Sequence, residues 1–168
     1  MIHMGKSLLG LIVLFLSLAG SCALIPCSWD ADLDALEKTP QADFLVGAYM
    51  LDERTLNYVP GYENAQNAVL NLNPDGTFEM RNVPKGTFDF MGYYDEMNVT
   101  VDAKGTWKVG YGKGTAELNV SVEFDSTLTD LSNFWTSWRI YEKDKKPIVF
   151  IMVGDPDECA AVRFEPKK

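Results

Sequence analysis

The chain of 168 residues carries 15 basic and 24 acidic side chains, a formal net charge of −9, with 46% hydrophobic and 23% charged residues. Those values exclude a disordered chain, and the length suits one domain whose core needs neither a metal nor many disulfides. The acidic balance argues against nucleic acid as a partner, because phosphate binding needs clustered Lys and Arg.

At the N-terminus, Lys6 precedes an apolar run from Leu8 to Leu16, broken only by Gly10, and the small residues Ala19, Gly20 and Ser21 follow. This pattern predicts a secretory signal peptide over 1–21. The run is shorter than the roughly 20 residues that span a bilayer. Leu18-Ala19-Gly20-Ser21-Cys22 resembles the lipobox of bacterial lipoproteins, with Ala19 where the family usually has Leu. The resemblance implies that Cys22 is acylated, palmitate among its chains, and becomes the new N-terminus. Several acyl chains give a stable membrane anchor. Ala23 rather than Asp after the cysteine resembles the sorting signal for the outer membrane, with the domain facing the periplasm. The other reading is ordinary cleavage after Ala19 or Ser21, which leaves Cys22 a plain cysteine. Removal of 1–21 would leave 147 residues with a side-chain charge of −10, and would discard His3, the sole histidine.

Residues 22–42 read as a tether. Trp29 to Lys38 can form two or three helical turns with Asp30 as the cap and Pro40 as the stop, or a spacer without stable structure. From 43 to 168 the pattern is β. Phe44 to Leu51 is a first strand. Leu70 and Leu72 alternate with asparagines, and Asn73-Pro74-Asp75-Gly76 predicts a tight turn into Phe78 and Met80. Asp102 to Gly105 predicts a second turn, between Val99-Val101 and Trp107-Val109. Gly112 to Gly114 predicts a third. Ala116, Leu118, Val120, Val122 and Phe124 keep a strict period of two, so one face is buried and the other wet. Trp138 to Tyr141 follows, then a charged turn over 142–146. Ile148 to Val153 is apolar on both faces, and a turn at 155–157 leads to a last strand over 160–165. Segments 52–66 and 84–97 read as long loops at one end. About eight strands joined by turns predict an all-β fold. An antiparallel up-and-down β-barrel with a short N-terminal helix fits this meander, and a β-sandwich is the alternative.

Leu45-Val46-Gly47-Ala48-Tyr49, then Leu70-x-Leu72-Asn73-x-Asp75-Gly76-Thr77-Phe78, then Gly105-Thr106-Trp107-Lys108-Val109 occur in one order. That order resembles the small bacterial lipocalin-like (calycin) domains, with Tyr49 where a Trp is common. The resemblance covers about 43–165 and implies a barrel, often with a ligand cavity, and no particular reaction.

Without histidine, Ser-His-Asp and Cys-His catalysis and His-bearing zinc sites are excluded from the mature chain. No phosphate-binding glycine loop is present. Two acidic turns, Asp155-Asp157-Glu158 and Asp95-Glu96, read as a loose Ca²⁺ site or, more simply, as solvated turns. A carboxylate-dependent hydrolase is the distant alternative, because no spacing singles out a pair. Sequons at Asn98 and Asn119 would matter only in a eukaryotic secretory pathway, which the lipobox argues against. Tyr49, Trp107 and Trp138 are the candidate ligand-binding residues, with barrel core as the plainer reading. Phe134 and Trp135 read as a partner-binding patch or as packing at the rim. Cys27 and Cys159 are expected to form a disulfide, being the two cysteines left once Cys22 is acylated in an oxidising compartment. The expectation is therefore a non-catalytic lipoprotein without metal or cofactor. Its barrel would hold a small apolar or amphipathic ligand or, alternatively, serve as an interaction or inhibitor module for another envelope protein.

Overall fold

A computed structural model of the chain describes residues 29–88, 98–112, 114–155 and 160–167. Its strands are β1 (Asp34–Ala35), β2 (Gly47–Leu51), β3 (Val69–Leu72), β4 (Thr77–Pro84), β5 (Thr100–Gly112), β6 (Thr115–Glu123), β7 (Phe134–Lys143), β8 (Lys146–Met152) and β9 (Ala161–Pro166). One short helix, α1 (Glu53–Tyr58), follows β2. Each strand from β2 to β9 pairs antiparallel with its neighbour in sequence, and β9 pairs back onto β2. The result is a closed eight-stranded up-and-down barrel, as the meander predicts, and closure removes the sandwich alternative.

The alternation on β6 runs as predicted: Ala116, Leu118, Val120 and Val122 are fully buried, while Asn119 and Glu123 face solvent. The hairpin at 73–76 also forms, with Gly76 at φ 80° and Thr77 N–H donating to Asp75 Oδ1 at 2.9 Å. Positive φ at Asp144 and Lys145 gives the tight β7–β8 turn inside the charged segment 142–146.

Three expectations are corrected. Asp102–Gly105 is not a turn but part of the continuous strand β5. Asp102 Oδ1 instead accepts from Asn82 N at 2.9 Å, bridging to the irregularity in β4 where Asn82 has φ 55°. Gly105 serves close packing there: a Cβ on it would stand 1.7 Å from Ser121 O and 2.9 Å from the Phe78 ring. The helix expected over 30–38 is absent; that stretch is a turn followed by β1, which pairs with Tyr141 and Glu142 of β7. The helix that does form lies in the segment read as a loop. Asp52 caps α1 by accepting from Thr55 N at 2.8 Å, and Val59, Tyr62, Ala65 and Ala68 are buried along the rest of that connection.

The barrel has two unlike ends. One carries the short links β3–β4, β5–β6 and β7–β8, and the other the long connections after β2, β4, β6 and β8. At this loop end, Phe88 meets Phe124 at 5.1 Å between ring centroids, and Phe124 stacks on Phe134 at 6.1 Å. Tyr62 and Thr87 share a hydrogen bond, and buried Lys85 pairs with Asp130 at 2.6 Å. No helix among the described residues is long and apolar enough to cross a membrane.

Candidate functional site

The interior is packed. Tyr49 is fully buried, and its hydroxyl donates to Leu45 O at 2.6 Å. Burial holds that hydroxyl well above its ordinary pKa. Trp107 Nε1 donates to Thr77 O at 2.8 Å, and Trp138 meets Phe78 edge-on at 5.3 Å. Tyr49 and Trp107 are thus core residues with their polar atoms satisfied.

Trp138 differs because it borders an opening. The β7–β8 ladder starts at the turn pair Lys143–Lys146 and ends at Arg139–Phe150. Beyond it, β7 stays with β6 as far as Phe134, and β8 stays with β9 as far as Met152. There Phe134 of β7 stacks on Phe124 at the end of β6, with Phe88 edge-on to both, and β7 and β8 are no longer paired. A cavity of about 420 Å³ lies in this seam. Its inner wall is Trp138, Thr136, Ile151 and Val153, its roof Gly86 to Phe88, and its outer lip Glu117, Ser137 and Arg139. Apolar walls behind a polar lip suit a small amphipathic molecule, and the volume lies in the range of small-molecule pockets. Phe134 and Trp135 separate: Phe134 packs on the core, whereas Trp135 is largely exposed.

A second constellation lies on the outer wall. Arg163 of β9 is fully buried. Its guanidinium donates to Asp32 at 2.8 and 3.2 Å and to Trp29 O at 3.3 Å. Its Nε lies 2.8 Å from Asp52 Oδ2, close enough for an ion pair though not aligned for a hydrogen bond. Asp32 also takes Lys143 Nζ at 2.6 Å and Arg54 at 3.2 Å, and Arg54 lies 4.8 Å from the Trp29 ring centre. Hydrogen bonds from Arg163 and then Lys143 hold the Asp32 carboxyl well below the usual carboxylate range, against a desolvation cost. Asp30 accepts from Tyr141 Oη at 3.0 Å. Trp29 and Leu33 pack on a cluster of Tyr141, Ile148, Phe150 and Ala161. Residues 29–36 are therefore a strap bound to the barrel wall. An open cleft of about 790 Å³ beside it is lined by Trp29, Arg54, Tyr58 and Lys143. Because Arg163 is enclosed and already paired, this constellation holds structure together.

Sequence reasoning missed the strap. Its signal was present in the period of two that sets Asp30, Asp32 and Asp34 apart, and in the lone Arg163 between Val162 and Phe164. Cys22, Cys27 and Cys159 lie outside the described residues, as do Asp95, Glu96, Asp157 and Glu158. Among the described residues no group of His, Cys, Asp and Glu is placed to hold a metal ion. Comparison with protein-family models, curated proteins and solved structures found no match to this chain.

Proposed function

We propose that the chain is an envelope lipoprotein, anchored in the outer membrane through acylated Cys22, whose barrel binds a small amphipathic ligand without catalysing a reaction. The observation that carries the binding reading is the cavity of about 420 Å³ at the β7–β8 seam, with Trp138 on its wall and Arg139 at its lip. The lipobox and the basic-apolar leader carry the anchor reading. The lack of histidine after residue 3 supports a non-catalytic role, since the usual general base is missing.

The test is native mass spectrometry of the protein from its own host, followed by titration with an apolar fluorescent probe. A retained small-molecule mass and quenching of Trp138 that Trp138→Phe removes would support the reading. A protein without bound mass, and with no response of Trp138, would sink it. One observation favours the interaction alternative: where β7 and β8 part, each presents a strand edge to the other, and an extended peptide can add there. A co-purifying protein in place of a small molecule would select that alternative.

A further inference from the structure

We propose that the loop end of the barrel rests on the lipid surface and inserts an apolar rim into it, an inference that depends on the anchor reading above. Among the described residues, the exposed large apolar side chains are unevenly placed. Tyr58 (71% exposed), Val99 (49%), Leu128 (81%), Trp135 (80%) and Met152 (37%) all lie at the loop end, and Tyr111 alone lies toward the short turns. They come from four different connections or strand ends, so they ring the loop end rather than mark one spot.

The strap supplies the second observation. The chain is bound to the wall from Trp29 onward, and Trp29 lies under Arg54 of α1, the helix at the loop end. Only residues 23–28 stand between an acylated Cys22 and that fixed point. Seven Cα steps, fully extended, reach about 25 Å. A ten-residue strand such as β7, tilted as barrel strands are, rises by about the same distance. The tether is therefore no longer than the barrel is tall, and the point where it joins the wall, Trp29, lies beside the loop-end helix.

Charge decides the kind of surface. Glu53, Glu63, Asp125 and Asp130 stand exposed at this end, and Lys85 is buried against Asp130. An anionic lipid surface would be repelled, so the rim meets zwitterionic headgroups, and contact comes from insertion of Trp135 and Leu128. Tryptophan is suited to that depth, since its ring is apolar and its N–H is polar.

The experiment uses the full acylated chain in phosphatidylcholine vesicles whose acyl chains are brominated, with tryptophan emission as the readout. Metabolic labelling of Cys22 with a fatty-acid analogue is read on the same preparation. The expected result is a labelled protein whose emission the bromolipid quenches, with most of that quenching lost in Trp135→Phe and in Leu128→Asp. Both positions are exposed, so neither change disturbs the core. A labelled protein with no quenching attributable to Trp135 overturns the rim and leaves the anchor standing. An unlabelled protein overturns the anchor, and the rim with it.

Discussion

The inner and outer faces of β8 are both buried, but by different covers. Val149 and Ile151 point into the barrel and belong to one buried cluster to which each of the eight barrel strands contributes. Ile148 and Phe150 point outward and are covered by Trp29 and Leu33 of the strap, with Tyr141 and Ala161 at their sides. The inner cover is apolar throughout and follows from the closure of the sheet. The outer cover is a short acidic segment held by a buried arginine and one two-residue strand pairing. Apolar burial on one side is non-directional and tolerant of sequence. The strap depends on a few charge-assisted hydrogen bonds, which are specific and more easily broken one at a time. The difference separates what makes the barrel a barrel from what fixes its N-terminal segment to the wall.

The largest effect that would sharpen this contrast is covalent. Cys27 and Cys159 lie outside the described residues, but in sequence each comes two positions before a member of the outer cluster, Trp29 and Ala161, and a bond between them is the expectation to test. The bond would close a loop of about 130 residues, for which the chain-entropy model gives a little under 5 kcal/mol. Peptide mapping without reductant should find the linked pair, and two alkylated cysteines in unreduced protein would refute it. Next, Phe78→Ala, which empties space beside Trp138, should cost about 3–5 kcal/mol in urea unfolding. A cost below about 1 kcal/mol would mean that the interior is not packed as described.

Arg163→Leu should cost about 3 kcal/mol, because it strands Asp52 in a buried site while keeping the apolar volume. If the charges themselves are the reason, adding Asp52→Asn should recover part of that loss. Asp32→Asn should cost only about 1 kcal/mol, since the Asp32 side chain is 41% exposed and solvent screens its pairs. Its signature is local: faster amide exchange over 29–36, with the barrel strands unchanged. The pH dependence has a definite sign. Asp32 has its folded pKa depressed, so its contribution is complete above the ordinary carboxylate pKa of about 4 and is lost as pH falls below that toward the depressed value. Wild type should lose strap protection in that acid range, and Asp32→Asn should lack that leg of the profile.

The barrel was legible because its strands obey a period of two and its turns carry their own chemistry, as in Leu118 to Phe124 and Asn73 to Gly76. The misreadings share a cause. Asp102–Gly105 has turn composition, but Asp102 serves the neighbouring strand and Gly105 makes room for Phe78 and Ser121. Asp30–Lys38 has helical composition, yet Asp30 is engaged by Tyr141 and Asp32 by Arg163 and Lys143, all more than 100 residues away. Local propensity loses wherever a distant partner sets the geometry. The seam cavity was illegible for the same reason, since it depends on where one ladder stops, and of the three candidate ligand-binding residues only Trp138 borders it.

The closure of the barrel also has a kinetic side. Seven of its eight ladders join strands adjacent in sequence, and the eighth joins β2 to β9, bringing Leu51 to Phe164. The first seven can form in succession between sequence neighbours, three of them across short turns, and even the longer links cost far less closure entropy than the eighth. The last contact spans nearly the whole domain and has no partner until the C-terminal strand exists. Lys167 N–H, just past β9, donates to Ala48 O at 2.8 Å. A chain made or translocated N-terminus first must therefore hold β2 with one edge open until β9 arrives. Weakening the β9 side of that last ladder would prolong the exposed state and slow closure of the barrel.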